Sequence, residues 1–187
     1  AALRDAGWQI TAAGGPHDGE DFVAIDLADE DSLRASLDLA KPDVVFHLAG
    51  QAAVPASLAD PLATYEANVL GTARLLRAMR AYRDAGDAAP RIVFASSADV
   101  YGARDASELP LRETLEPRPR NPYAASKAAA EAILLGEARS FDLDVVVART
   151  FNQIGPGQSD RFVVASFAKQ LAAIATSTQA NDSPAIG

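Results

Sequence analysis

Tyr123 and Lys127 stand four residues apart in the run Tyr-Ala-Ala-Ser-Lys. On a helix that spacing puts both side chains on one face, about one turn from each other. An ammonium held near a phenol favours the phenolate and pulls its ordinary pKa of about 10 toward neutrality. A tyrosine tuned in that way can give or take a proton at a sugar or alcohol oxygen while a nicotinamide moves hydride. Ser97 lies upstream, at the end of an apolar run. Two donors aimed at one oxygen stabilise the charge that develops there. The plain alternatives are a Tyr-Lys pair on an ordinary helix face and a serine closing the turn after a strand, which also accounts for Ser96.

The elements that must position these groups alternate. Strands are expected at Gln9–Ala13, Phe22–Ile25, Val44–Leu48, Arg91–Ala95 and Leu143–Ala148. Between them the periodicity predicts helices over 29–39, 61–85, 122–141 and 160–176. Leu33 and Leu37 mark the first, and Tyr65, Val69, Leu76 and Met79 form a stripe on the second. Pro122 sits in the first turn of the third, where a missing N–H costs nothing. Asp160 can cap the last. The strands are continuous apolar runs, which suits a parallel sheet covered on both faces. Asp105 to Pro119, rich in proline and charge, is the longest loop.

Composition narrows the chemistry. The 187 residues are 49% hydrophobic, enough for one domain with a core. The net charge of −8 argues against a nucleic-acid partner, which needs a basic surface. With no cysteine there is no disulfide, thiolate metal site or cysteine nucleophile. His17 and His47 are too few and too far apart to suggest zinc, and no metal is expected. No apolar run approaches the roughly 20 residues of a membrane span.

At the strand ends the residues become specific: Asp26; His47-Leu-Ala-Gly50; Asn68-Val-Leu-Gly-Thr72; Phe94-Ala-Ser-Ser-Ala-Asp-Val-Tyr-Gly102; Asn121-Pro-Tyr123-Ala-Ala-Ser-Lys127; and Arg149-Thr-Phe-Asn152-Gln-Ile-Gly-Pro-Gly157. In this order they resemble the extended short-chain dehydrogenase/reductases that act on nucleotide sugars. Residues 97–102, 119–124 and 151–158 are most similar to GDP-4-keto-6-deoxy-D-mannose reductases. The resemblance implies an α/β fold, a Rossmann-like doubly wound parallel sheet. It implies a dinucleotide-binding domain over 1–157 and the start of a substrate-binding region over 158–187. Ser97, Tyr123 and Lys127 would be catalytic. Asp26, Leu27, Leu48, Ala49, Gly50 and Asn68 would hold the cofactor together with Tyr123 and Lys127. Ser97, Asp99, Asn152, Gln158 and Arg161 would meet the substrate. A cytoplasmic homodimer, paired through the long helix and the Tyr-Lys helix, is the expected assembly.

Several reactions share this frame. Related 4,6-dehydratases carry an acidic pair, or a glutamate in second place, directly after the serine or threonine; Ala98 and Asp99 stand there in this chain. Epimerase-reductases need a cysteine, which is absent. A UDP-sugar 4-epimerase and a protein that only senses NAD(P) stay open, and 4-keto reduction demands least of the residues present. The second-strand end, Ala12-Ala-Gly-Gly15, has no acid to prefer NAD and no arginine to welcome a 2′-phosphate, so NADP(H) is favoured slightly over NAD(H).

The family opens with a strand and a glycine-rich turn that hold the pyrophosphate. Ala1–Gly7 resembles the tail of the helix after that turn. The sequence therefore predicts that residues 1–187 alone bind cofactor poorly. Equilibrium binding of NADP(H) to a polypeptide of only these residues checks this, and tight binding would contradict it.

Overall fold

A computed structural model describes residues 2–15, 22–86, 88–160 and 162–176. It divides into two compact units, Ala1–Phe151 and Asn152–Gly187. In chain order the first unit holds α1 (Ala2–Asp5), β1 (Ala12–Gly14), β2 (Phe22–Ala24), α2 (Glu30–Ala40), β3 (Val44–His47), α3 (Val54–Ala59), α4 (Pro61–Tyr65), α5 (Gly71–Asp84), β4 (Arg91–Ser97), α6 (Pro122–Phe141) and β5 (Val145–Thr150). The second unit holds α7 (Val163–Thr176).

Among the described residues all strand pairings are parallel. β1 pairs with β2, and β4 lies between β3 and β5. β1 and β3 do not pair. A cavity of about 580 Å³ separates them, lined by Ala12, Val23, Val45 and Leu75 among others. This order, β2-β1 then β3-β4-β5, is that of a doubly wound sheet with the strand between β1 and β3 left out. The split agrees with the expected fold.

β4 anchors the core because it is paired on both edges. Its residues alternate in burial, with Ile92, Phe94 and Ser96 inside. Leu33 and Leu37 of α2, Leu76 and Met79 of α5, and Leu134 of α6 close over Ile92 and Phe94. The other face differs from expectation. Phe46, Val93 and Val146 share one row of the sheet, and Phe46 and Val146 are exposed. Apolar runs on every strand predict two covered faces, but among the described residues α2, α5 and α6 pack together over one.

Helix boundaries follow local chemistry. Asp29 caps α2 by accepting from Asp31 N and Ser32 N, and Lys41 ends it in the left-handed conformation. Asn121 caps α6 through Ala124 N at 2.8 Å, with Pro122 at the first turn. The single long helix expected over 61–85 is interrupted. Residues 66–70 form a π-turn, with Gly71 N–H bonded to Glu66 O. The wider turn shifts the helical phase. Tyr65 is thus exposed, whereas Leu76 and Met79 are fully buried, so the expected stripe breaks at the turn. α3 is a further helix that the apolar spacing did not announce.

After β4 the chain makes a 3₁₀ turn, Ala98–Tyr101, and returns along residues 103–121. Gly102 has φ +66°, and a Cβ there would collide with the Arg118 carbonyl. Arg118 N also bonds Val100 O at 2.9 Å, so the loop is sewn to the end of β4 at this point. Gly102→Ala combines a left-handed residue with a backbone clash and should destabilise the protein by about 1–3 kcal/mol, read from a chemical-denaturation curve.

Candidate active site

Three groups meet where β4 ends and α6 begins. The Ser97 hydroxyl lies near enough to the phenol of Tyr123 to lower its pKa. Ser97 also caps the 3₁₀ turn by accepting from Asp99 N at 3.2 Å. The turn-closing role weighed for it from sequence is therefore present. Ser96 does not close the turn; its buried hydroxyl donates to Glu131.

Lys127 lies one turn along α6 and is 6% exposed. Its Nζ donates to Ala95 O at 2.8 Å and sits 4.8 Å from the centre of the Phe94 ring. Burial lowers its pKa from 10.5 to about 8. Tyr123 behaves differently from what the Tyr-Lys spacing suggests. Burial raises its pKa, the nearby Ser97 hydroxyl pulls it down, and the Asp99 carboxylate pushes it up. The ammonium points to the strand carbonyl and the Phe94 ring, and burial sets the direction at the phenol. Tyr123 is consequently held in the protonated form, the form a general acid must have.

A second set of contacts holds the chain after β3. Asn68, buried by the π-turn, accepts from Gln51 N at 2.7 Å and donates to Gln51 O at 2.9 Å. The same amide donates to Ser126 Oγ at 2.9 Å, and Ser126 donates to Tyr123 O at 2.7 Å. One side chain thus ties the β3 loop to the first turn of α6. Gly50 has φ +141°, and a Cβ there would lie 2.5 Å from Asn68 Oδ1. Only glycine fits.

Asp26, Leu27, Ala49 and Gly50 line one cavity of about 450 Å³ together with Gly14 and Gly15. Asp29 takes the helix cap, which leaves Asp26 as an exposed turn residue, its Oδ1 accepting from Ala28 N at 2.8 Å. Leu48 is exposed and lines the larger cavity between β1 and β3, as does Ala49. The smaller cavity contains a pair that sequence reasoning missed. Arg74 of α5 lines it and bonds Glu66 at 2.7 Å. An arginine is therefore present beside Gly14 and Gly15, brought there by the fold from sixty residues away in sequence.

His47 is structural, as its position suggests. Thr72 Oγ1 donates to Asn68 O at 2.7 Å, so His47 Nε2 must donate to Thr72 Oγ1 at 2.9 Å. Burial, and then the Lys127 charge, lowers its pKa to about 4, so it is neutral near pH 7. Asp99 lies close enough to Tyr123 to act on it electrostatically. In the second unit, Asn152 is exposed and Gln158 donates to Gln153 O at 3.0 Å. Arg161 lies outside the described residues, as does His17. Among the described residues no cluster of metal-ligating side chains occurs, and no helix is long and apolar enough to cross a membrane.

Known proteins resemble this chain over most of its length. The family model for GDP-mannose 4,6 dehydratase matches residues 9–186. GDP-6-deoxy-D-mannose reductase from Pseudomonas aeruginosa is 47% identical over 156 residues, covering 83% of this chain and 50% of that protein. The structure of RMD from Pseudomonas aeruginosa complexed with NADPH aligns with a TM-score of 0.75 and 43% identity, over 86% of this chain and 55% of that one. UDP-glucose 4-epimerase from Thermus thermophilus, complexed with NAD, aligns with a TM-score of 0.70 and 36% identity, over 80% and 46%. The chain spans about half the length of the relatives it matches.

The depressed Lys127 pKa has a consequence for stability. Its folded value of about 8 lies below its ordinary 10.5, so between those limits the unfolded chain binds more protons. Its contribution is most favourable above about pH 10.5 and is lost as pH falls through about 8. Lys127→Met should remove this component: the rise in stability from pH 8 to pH 10 should be smaller in the variant than in the wild type, measured by denaturant unfolding at each pH.

Proposed function

This chain belongs to the GDP-mannose 4,6-dehydratase family of extended short-chain dehydrogenase/reductases, and from that membership we propose that the full-length protein is an NADP(H)-dependent reductase of a nucleotide-linked 4-keto-6-deoxy sugar. The substrate proposed is GDP-4-keto-6-deoxy-D-mannose and the product GDP-D-rhamnose. The observation that carries the reading is the Ser97 hydroxyl beside the Tyr123 phenol, with Lys127 buried one turn along α6 and Ala98 where a dehydratase acid would stand.

The cofactor fits the residues present. The cavity lined by Asp26, Leu27, Ala49 and Gly50 suits an adenosine end, with Asp26 Oδ2 available to accept from an adenine amino group. Gly50 lines this cavity, and Asn68 holds the next residue, Gln51, by both of its backbone groups. Arg74 beside Gly14 and Gly15 supports the phosphorylated form, with NAD(H) the second choice. When bound, the nicotinamide supplies hydride to the sugar C4.

The chain's own groups handle the proton. Ser97 would donate to the C4 oxygen and orient the ketone. Tyr123 would transfer its phenolic proton to the same oxygen as negative charge builds there. Lys127 would stabilise the resulting phenolate and hold the ribose hydroxyls by turning from Ala95 O. Asp99, Asn152, Gln158 and Arg161 would contact the sugar or its diphosphate, with residues 158–187 beginning the substrate region and 1–157 the cofactor domain. A cytoplasmic homodimer is the proposed working form.

The test uses full-length protein, NADPH and GDP-4-keto-6-deoxymannose. Tyr123→Phe should lower kcat by about 10²–10⁴-fold with NADPH affinity unchanged. Interconversion of UDP-glucose and UDP-galactose by the wild type would select the epimerase instead. Ordinary cofactor binding without turnover of any ketosugar nucleotide would select a sensor.

A further inference from the structure

Three consecutive residues at the end of β4 face α6. Ala95 O accepts from Lys127, the Ser96 hydroxyl donates to Glu131, and Ser97 stands near enough to Tyr123 to lower its pKa. Tyr123, Lys127 and Glu131 are spaced by four residues along one face of the helix. The first two belong to the chemistry proposed above. The third does not, yet it is the most enclosed of them, 3% exposed.

A carboxylate so deeply buried requires compensation. Arg149 of β5 supplies it, with Nη2 2.7 Å from Glu131 Oε2 and Nε 3.1 Å from both carboxylate oxygens. The guanidinium lies 4.9 Å from the centre of the Tyr101 ring, in the turn that follows Ser97. Its Nη1 donates to Glu113 O at 3.2 Å, in the loop that returns to α6. Thr150 Oγ1 closes the set by donating to Ser96 O at 3.2 Å. The network therefore joins β4, β5, α6, the 3₁₀ turn and the long loop, and it meets Ser96 at the residue before Ser97.

We propose that Glu131, clamped by Arg149 and Ser96, is a positioning residue that sets the register of α6 on β4 so that Tyr123 and Ser97 converge on one substrate oxygen. This rests on the reductase reading for its kinetic consequence but not for its geometry. Neutralising Glu131 strands the Arg149 cation and frees the Ser96 hydroxyl, and α6 then loses its lateral fix one turn beyond Lys127. Misplacement of reacting groups by about 1 Å can cost on the order of 100-fold in rate.

The experiment compares full-length wild type with Glu131→Gln and Ser96→Ala. Ser96→Ala removes one donor and leaves the ion pair in place, so it serves if Glu131→Gln does not fold. Two readouts are taken: kcat and KM with NADPH and the ketosugar, and the NMR titration of Tyr123 in ¹³C-tyrosine-labelled protein, which needs no substrate. The expected result is a kcat loss of about tenfold or more with KM and NADPH affinity within about twofold. With it should come an upward shift of the Tyr123 titration as the Ser97 hydroxyl, which lowers it, draws away. Unchanged kcat and an unmoved Tyr123 titration in a folded variant would overturn the proposal. So would a parallel fall of kcat, NADPH affinity and melting temperature in Glu131→Gln while Ser96→Ala matches wild type. If the wild type fails to turn over the ketosugar, the reductase reading fails, and the Tyr123 titration alone decides the role of Glu131: a shift supports it and no shift overturns it.

Discussion

Lys127 carries an ammonium into the seam between β4 and α6, where water cannot solvate it. Burying a charge there is costly unless donors and acceptors meet it. The Ala95 carbonyl and the Phe94 ring do so, and both belong to the strand that anchors the core. The site and the core are therefore parts of one packing problem. Phe94 fills the interior with one face and receives the cation on another. Any shift of α6 that spoiled the Tyr123–Ser97 contact would also uncover this charge.

The seam is polar along its length, which is unusual for a helix lying on a parallel sheet. Ser96, Ser126, Lys127 and Glu131 are all buried. Each has a partner: Glu131, the Asn68 amide, Ala95 O and Arg149 respectively. Polar groups satisfied in this way specify a single arrangement more sharply than apolar packing alone. The consequence at Tyr123 is chemical. A phenol in this half-buried place keeps its proton, and the adjacent Ser97 gives its oxygen a second polar neighbour. A surface Tyr-Lys pair would have neither property.

Much of this was legible in the sequence, and the reasons differ by element. α6 reads cleanly because Asn121 and Pro122 mark its start and its helix-forming run is uninterrupted. Tyr123, Lys127 and Ser97 stand out in the sequence because chemistry restricts which residue types can serve in the proposed roles. The π-turn at 66–70 was not legible, since composition does not distinguish an i to i−5 bond from an i to i−4 bond. It is that turn which accompanies the burial of Asn68 behind Gly50. The direction of the Tyr123 shift also escaped, because it depends on burial, which spacing does not report. Glu131 did carry a signal, four residues beyond Lys127, but its partner Arg149 comes from a different strand and only the fold brings them together. Arg74 was hidden for the same reason.

The central claim is that hydride arrives at C4 of a bound ketosugar while Tyr123 protonates the C4 oxygen that Ser97 orients. Its most direct test follows deuterium from NADPH labelled at nicotinamide C4, both stereoisomers, into the product formed by the full-length protein, read by NMR. The account predicts one deuterium at sugar C4 per labelled hydride consumed, with none at C3, C5 or C6. Deuterium at C6, or product formed without net NADPH oxidation, would contradict it.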